Sequence, residues 1–395
     1  MSIEPLRVVF VVESGTDVRL VEGLADRCEL TVVARHIPSG REISQPTSAG
    51  FHRVDGPASF IAFAWFVFRW LVRARSHTDA IVLQGYGLAA LAGNLAARCI
   101  NRPATMLVCS PVEAYYACRK MDPTLRRFRP LEATAISILA RLNARFAQRY
   151  VVLSHYLMMV VRTHGATCPI EVVPVYGVDT ALFSPARQTR AEIRGHLGLP
   201  VDPALIFFSS RIAPEKDPDT LLGALALLRR EGRDVRVLHL SGGHEEFVRR
   251  ARAAGLESAV IAQDAVPPFT ALAEWYRAAD VCVQASREEG LGFSPLEALA
   301  CGVPVVAADV GGLRDTIRDG DTGWTYRPGD ASSLAHALRA ALDNPDEGRR
   351  RAVRGRELVL RAYDREGVFA AFLTTIDPHH RTPVLSQVED RVAAG

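Results

Sequence analysis

The sequence predicts an α/β protein built from two doubly wound parallel sheets. Short continuous apolar runs, such as residues 6–12, are typical of parallel strands that are covered on both faces. Amphipathic helical segments separate these runs, as in consecutive βαβ units. The chain has 395 residues, which is long for a single hydrophobic core and favours two domains.

The first half alternates strands and helices from its start. Residues 13–17 form a turn after the first strand, and residues 18–28 have the apolar spacing of a helix. Further strands are predicted at 30–34, 80–83, 105–109 and 150–153, and further helices at 88–100 and 130–147. The first turn lacks the GxGxxG pattern, because Gly15 is its only glycine, so we expect no NAD or FAD site.

A second βαβ series begins near residue 204, after a connector at 172–185 that is rich in proline and glycine. We predict an N-terminal domain at 1–180, a C-terminal domain at 181–362, and a last helix at about 363–376 that packs back on the first domain. Residues 377–395 are expected to be a flexible tail. The second series has predicted strands at 205–208, 235–240, near 260, 281–284 and 303–307, and predicted helices at 219–230, 245–253, 270–277, 313–318, 331–342 and 365–375.

Composition excludes several classes of protein. With 48% hydrophobic and 23% charged residues the chain is expected to fold throughout most of its length. A net charge of +3 is too small to give the strongly positive electrostatic field that is typical of nucleic-acid binders. The seven cysteines are scattered and include no CxxC pair, so neither a disulfide framework nor a zinc site is expected, and a reducing, cytoplasmic compartment fits best.

Two segments combine apolar and basic residues. Residues 60–75 are strongly apolar and end in arginines, but the run is shorter than the roughly 20 residues of a membrane span. They form either a buried helix or a helix at the inner face of a cell membrane. Residues 119–149 carry eight cations against two carboxylates. This pattern indicates an anionic membrane surface or an acidic partner, with a solvated arginine face as the alternative.

Residues 286–312 contain the most suggestive local pattern. A glycine loop, Gly290-Leu291-Gly292-Phe293-Ser294, leads into Pro295, and two carboxylates flank it at Glu289 and Glu297. We predict Ser294 as the N-cap and Pro295 in the first turn of a helix. Free N–H groups at such a helix start bind anions. The alternative is an ordinary strand–turn–helix unit with two surface glutamates.

A second cluster follows the predicted strand at 205–208. Arg211 lies just beyond the strand's carboxyl end, where open α/β sheets bind ligands. Lys216, one of only two lysines in the chain, precedes the next helix. The bidentate guanidinium of arginine and the compact ammonium group of lysine both suit a diphosphate. The alternative is a pair of ordinary surface cations.

These motifs resemble the retaining nucleotide-sugar glycosyltransferases of family 4. The resemblance covers about residues 170–345 and rests on six blocks with the family's spacing. They are Arg211 with Pro214-Glu215-Lys216-Asp217, then 279–281, 289–292, 297–306, 311–312 and 319–323. It implies the GT-B architecture, in which two Rossmann-like domains face each other across a cleft, with an acceptor domain first and a donor domain second.

The resemblance also implies roles for individual residues. Arg211 and Lys216 would neutralise the departing diphosphate, Glu289 would bind hydroxyls of the donor sugar, and Glu297 would hold the ribose. The implied donor-binding residues also include Gly290, Leu291, Gly292, Phe293, Ser294, Gly243 and Val266. In the first domain Gly15 and Thr16 occupy the family's glycine loop, which approaches the phosphates.

The first domain departs from the family pattern. Family members commonly have a histidine after the strand at 105–109, whereas this chain has Ser110-Pro111-Val112-Glu113, and Gln84 stands at another histidine position. Ser110 and Glu113 are therefore the candidate acceptor contacts, with a surface-loop carboxylate as the alternative for Glu113. The two Asp-x-Asp patterns, at 217–219 and 319–321, read as helix-start and turn residues, so no metal and no cofactor beyond the co-substrate is expected.

The function implied is a metal-independent, retaining transfer of a sugar from a UDP- or GDP-sugar to an acceptor hydroxyl. The acceptor would be a glycan or lipid-linked, in bacterial cell-surface glycan, glycolipid or polysaccharide synthesis. Two alternatives remain: a nucleotide-sugar epimerase of the same fold, and a non-catalytic paralogue that binds a nucleotide as a scaffold.

Overall fold

A computed structural model gives the fold of the chain and describes residues 5–37, 50–121, 130–264 and 269–377. The described residues divide into two compact units. Within the described ranges the first comes from residues 5–37, 50–113, 130–177 and 365–377, and the second from residues 114–121, 178–264 and 269–364. Each unit has one parallel sheet. The predicted flexible tail lies outside the described residues, apart from Asp377.

The first unit contains a seven-stranded parallel sheet in the order β3-β2-β1-β4-β5-β6-β7. Its strands are β1 (Arg7–Val12), β2 (Glu29–Arg35), β3 (Phe51–Gly56), β4 (Ala80–Gln84), β5 (Ala104–Val108), β6 (Arg149–Val152) and β7 (Ile170–Val172). Its helices are α1 (Val18–Ala25), α2 (Phe60–Arg73), α3 (Leu88–Ile100), the start of α4 (Val112–Met121), α5 (Pro130–Phe146), α6 (His155–Thr163) and, at the far end of the chain, α15 (Arg365–Ile376). The central strands are almost fully buried, which explains their continuous apolar sequences.

Helix α15 packs in the first unit although it follows the second in sequence. Phe369 is fully buried and lies over Gly23 of α1, where a Cβ atom would come within 2.1 Å of the Phe369 ring. Thr375 donates a 2.6 Å hydrogen bond to Glu171. Phe369 can lie this close to α1 only because residue 23 has no side chain.

The second unit contains a six-stranded parallel sheet in the order β10-β9-β8-β11-β12-β13. Its strands are β8 (Ala204–Phe208), β9 (Val235–Leu240), β10 (Val260–Gln263), β11 (Val281–Gln284), β12 (Val305–Ala308) and β13 (Trp324–Tyr326). Its helices are α7 (Arg190–His196), α8 (Pro218–Arg230), α9 (His244–Ala253), α10 (Phe269–Ala278), α11 (Phe293–Ala300), α12 (Leu313–Thr316), α13 (Ala331–Asp343) and α14 (Pro345–Ala362).

Two differences from the sequence prediction have clear causes. The sequence pattern gave no helix at α14, because the buried stripe of α14 is made partly of Gly348, Ala352 and Gly355 among many arginines. Residues 114–121 were placed in the first domain but group with the second unit, where two of their side chains form hydrogen bonds. Among the described residues, no helix is both long and apolar enough to cross a bilayer.

Candidate active site

The candidate site of the second unit lies where the strand order reverses. In this sheet β8 leads outward to β9 and β10, whereas β11 leads to β12 and β13 on the other side. In open α/β sheets the crevice outside the carboxyl ends of such strands binds ligands. Arg211 and Lys216 follow β8, and Glu289 follows β11, so topology brings together three residues that the sequence singles out.

Glu289 is the centre of a buried hydrogen-bond cluster. It forms an ion pair with the Nζ of Lys216. Its Oε2 also accepts from Gln284 Nε2 at 2.9 Å and from Ser286 Oγ at 3.1 Å, and its Oε1 accepts from the hydroxyl of Tyr115 at 3.2 Å. The carboxylate is only 7% exposed, and the cluster compensates the cost of burying its charge.

Glu215 is the second buried carboxylate and it holds two arginines. Arg119 and Arg211 each donate to Glu215 Oε1, at 3.0 and 2.8 Å. Burial favours the neutral acid, but hydrogen bonds from Arg119 and the charges of both arginines hold the pKa of Glu215 below its ordinary value. The side chain of Arg211 remains 51% exposed. Glu215 therefore holds its guanidinium in place while a ligand can still reach it.

The glycine loop leads into α11 as predicted, but its cap differs. The N-cap is Gly292, at φ +93°, rather than Ser294, and the helix begins at Phe293. An N-cap side chain is therefore absent, which leaves the first N–H groups of α11, including those of Phe293 and Ser294, to other partners. Pro295 lies in this first turn, where an N–H group is not needed.

Gly312 holds the loop in place from the other side. Its N–H donates to the carbonyl of Glu289 at 3.0 Å. A Cβ atom on Gly312 would lie 2.1 Å from the carbonyl oxygen of Gly290, so only glycine permits this approach. The buried Leu291 completes the loop.

Glu297 lies one turn further along α11 and is 5% exposed. The hydroxyl of Tyr276 donates to Glu297 Oε2 at 2.8 Å, and Ser209, at the end of β8, is 3.0 Å from the same hydroxyl. Burial and the neighbouring Glu297 charge raise the pKa of Tyr276 far above its ordinary value. A neutral tyrosine therefore orients this carboxylate toward the strand ends.

The remaining residues of this unit that the sequence analysis named are Gly243, Val266 and the aspartates of the two Asp-x-Asp patterns. Gly243 caps α9 at φ +88°, beyond the end of β9 and against Ile212. Val266 lies outside the described residues. Asp217 caps α8 by accepting from Thr220, and Asp319 lies in a turn. Within the described ranges, no group of three or more His, Cys, Asp or Glu side chains is placed to hold a metal ion.

The first unit places its candidate residues at the carboxyl ends of β1 and β5. Gly15 has φ +94° with open space on its Cβ side, and the buried Thr16 Oγ1 has no hydrogen-bond partner. Ser110 follows β5. Glu113 binds His164 Nε2 at 2.8 Å, so the predicted acceptor contact is paired with a histidine that the sequence did not single out.

Sequence reasoning missed several site residues. Tyr115, Gln284 and Ser286 contact Glu289, and Tyr276 contacts Glu297. Arg119 was assigned to a basic surface, whereas it donates to Glu215. The position of Gln284 and Ser286, at the end of a buried strand and just before Glu289, is a signal that could have identified them. No local pattern points to Tyr115.

Comparisons with known proteins agree with this geometry. Residues 189–357 match the family described as glycosyl transferases group 1. The D-inositol 3-phosphate glycosyltransferase of Thermomonospora curvata is 38% identical over 200 residues, 47% of this chain and 46% of that protein. Its namesake in Xylanimonas cellulosilytica is 40% identical over 222 residues, 54% and 52% of the two chains. The chain thus spans about half the length of the curated relatives it matches.

Solved structures resemble nearly the whole chain. Sucrose-phosphate synthase from Thermosynechococcus elongatus has a TM-score of 0.76 at 21% identity, over 93% of this chain and 97% of that one. HepE of Anabaena, in complex with UDP, has a TM-score of 0.73 at 18% identity, over 94% and 99%. At these identities the likeness establishes the fold: the chain has the GT-B fold, with two Rossmann-like parallel-sheet domains.

Proposed function

We propose that the chain is a retaining glycosyltransferase that moves a sugar from a UDP- or GDP-sugar to an acceptor hydroxyl. The observation that carries this proposal is the convergence of Arg211, Lys216 and Glu289 at the carboxyl edge of one sheet, beside the N-terminus of α11. Cations suit a diphosphate and a carboxylate suits sugar hydroxyls. The family of residues 189–357 and the UDP bound to a protein of the same fold support this choice.

In the proposed reaction the bond between the sugar carbon and the diphosphate oxygen breaks while the acceptor oxygen bonds to that carbon on the same face. The acceptor proton passes to the departing phosphate oxygen. Arg211 and Lys216 neutralise the charge that develops on the diphosphate, and Glu289 and Glu297 position the sugar and the ribose. We infer that these two cations suffice without a metal ion, and that stabilisation of charge supplies much of the rate.

A donor panel tests the proposal directly. We expect UDP or GDP to raise the melting temperature, and one sugar of that nucleotide to be hydrolysed slowly or transferred. Lys216→Ala should reduce turnover by at least about 100-fold, whereas Arg327→Ala, which removes an exposed cation of the same unit, should leave it unchanged. Full activity of Lys216→Ala would refute the assignment. Product formed without an acceptor and isomeric with the donor would indicate an epimerase instead.

The acceptor is proposed from two considerations. A glycan or lipid-linked acceptor, in bacterial glycolipid, polysaccharide or cell-surface glycan synthesis, follows from the membrane contact argued below. The name of the relatives adds D-inositol 3-phosphate as a soluble acceptor to test. Transfer to the soluble cyclitol alone would exclude the lipid-linked acceptor.

The membrane contact is proposed for one face of the first unit. Helix α3 packs against both α2 and α5. Six of the ten large apolar side chains that are exposed among the described residues lie on these three helices. They are Phe60, Ile61, Trp65, Leu95, Ile138 and Leu142. This is an unusual concentration for one layer of a protein surface.

The charge of the same three helices favours an anionic lipid surface as the partner. Their sequences contain a single carboxylate, Glu132, and five exposed arginines. The arginines are Arg69, Arg73, Arg98, Arg141 and Arg145. Apolar side chains that enter the lipid boundary and arginines that reach its headgroups form the pattern of an interfacial helix.

Flotation with vesicles of phosphatidylglycerol and phosphatidylcholine tests this contact. We expect binding at low salt that weakens as salt increases. Ile61→Glu should abolish it, while Val353→Glu, at an exposed apolar position of the second unit, should not. Absence of flotation at low salt, or equal loss in both variants, would refute the proposed surface.

A further inference from the structure

Tyr115 places its hydroxyl between two groups of the candidate site. The hydroxyl donates to Glu289 Oε1 at 3.2 Å and accepts from the N–H of Gly290 at 3.3 Å. One helical turn further along α4, Arg119 donates to Glu215. This part of α4 is therefore held by the same two carboxylates that hold Lys216 and Arg211.

The Tyr115 hydroxyl makes the two hydrogen bonds that a sugar hydroxyl could make at the same point. A sugar hydroxyl both donates and accepts, so a subsite for it needs an acceptor and a donor at hydrogen-bond distance from one point. Glu289 and the Gly290 N–H provide that pair, and the hydroxyl of Tyr115 already uses both. Burial and the charge of Glu289 also raise the pKa of Tyr115, which keeps the phenol neutral and able to donate.

We propose that Tyr115 is a specificity-determining residue whose hydroxyl competes with the donor sugar for one subsite, formed by Glu289 Oε1 and the N–H of Gly290. A nucleotide sugar displaces it only if a sugar hydroxyl replaces both of its hydrogen bonds, whereas the nucleotide alone leaves it in place. The inference rests on the proposed function and deepens it, because it names the residue against which the donor sugar competes. The exposed Arg211 remains accessible to the nucleotide's phosphates while Tyr115 is bound.

Calorimetry on the full chain tests the competition with four probes: UDP, UDP-glucose, GDP and GDP-mannose. Tyr115→Phe removes both hydrogen bonds of the occupied state, each worth about 1 kcal/mol net. We expect the sugar nucleotide of the preferred base to bind about 30-fold tighter to this variant, which corresponds to the roughly 2 kcal/mol of the two hydrogen bonds together, with the Kd of the free nucleotide unchanged. Tyr116→Phe, the neighbouring residue on the same helix, should change neither constant.

Equal or weaker binding of the sugar nucleotide by Tyr115→Phe would overturn the inference while leaving the proposed function intact, provided that the nucleotide itself binds. If the wild-type chain binds none of the four probes, the proposed function fails and the inference fails with it. Hydrogen exchange of residues 112–121 gives a second readout. The sugar nucleotide should accelerate exchange there and the nucleotide should not; added protection would mean that Tyr115 contacts the donor instead, and would also overturn the inference.

Discussion

Both cations of the candidate site are paired with a carboxylate inside the protein. Lys216 binds Glu289 and Arg211 binds Glu215. An unpaired charge at a buried position is costly, so a site that must hold cations for an anionic ligand also needs carboxylates that keep them in place. Each of these carboxylates therefore positions a cation in addition to any contact with the ligand.

Glu215 should contribute to stability through this pairing. We expect Glu215→Gln to lower the free energy of unfolding by about 1–3 kcal/mol at pH 7, because Arg119 and Arg211 lose a charged partner. Since the pKa of Glu215 is lowered in the folded state, this contribution is present above the ordinary value of 4.5 and is lost as the pH falls below it. Urea unfolding of both proteins at pH 7 and pH 4 measures the difference, and an equal difference at both pH values would contradict the expectation.

The buried His239 leads to a second prediction about a single residue, independent of the one for Glu215. It is fully buried in β9 between Phe208 and Phe247, and burial lowers its pKa to about 4 from 6.5. The folded state thus binds fewer protons than the unfolded state between these values, so acidification below pH 6.5 destabilises the fold, by about 3 kcal/mol at pH 4. His239→Asn keeps a donor toward the carbonyl of Phe208 and cannot titrate in this range. Urea unfolding from pH 7 to pH 4 should show a smaller loss in the variant, and parallel curves would contradict the assignment.

At the scale of elements, the glycine loop and the start of α11 depend on backbone contacts rather than on side-chain caps. Gly292 supplies a left-handed conformation and Gly312 permits a close approach to the Gly290 carbonyl. A Cβ atom is unfavourable at Gly292 because of its positive φ. At Gly312 the nearest atoms belong to the backbone of Gly290 and cannot rotate away. The loop geometry is therefore set by two glycines that are 20 positions apart in the sequence.

Gly312→Ala should displace the loop that carries Glu289 and Gly290. We expect at least a 10-fold weaker Kd for the nucleotide sugar and a lower melting temperature, since the new Cβ atom would lie 2.1 Å from a backbone oxygen. Gly195→Ala is the matched control, because residue 195 lies in helix α7 with open space around it and alanine favours helices. If both variants bind with wild-type affinity, the close approach has no functional role.

At the scale of the whole molecule, the chain forms two units with separate sheets and cores. Of the predicted donor-binding residues that the structure describes, all but Gly15 and Thr16 lie in the second unit. A ligand that binds a folded unit stabilises that unit by mass action, by about 2.7 kcal/mol at 100 times its Kd. The two units should therefore respond differently to the same ligand.

We expect the preferred nucleotide to raise chiefly the unfolding transition of the second unit in a calorimetric scan. Val82→Ala and Val306→Ala, in the buried strands β4 and β12, identify the two transitions, because each should lower the stability of its own unit by about 2 kcal/mol. A single transition in all three proteins, shifted as a whole, would mean that the units unfold together. If the nucleotide raised only the transition that Val82→Ala lowers, which is that of the first unit, the proposed location of the site in the second unit would be wrong.

The sequence by itself determined the features that depend on neighbouring residues. Continuous apolar runs predicted the parallel strands, and the order of strands and helices placed Arg211, Lys216 and Glu289 at the carboxyl edge of one sheet. It did not reveal α14, whose buried stripe includes glycine and alanine, or the true cap of α11, which depends on a backbone angle. Only the tertiary structure decided which side chains meet. Tyr115 and Glu289 are 174 positions apart, and Arg119 and Glu215 are 96 apart. Contacts of that separation leave no periodic pattern in the chain, because packing of the folded chain, rather than local geometry, brings the two groups together.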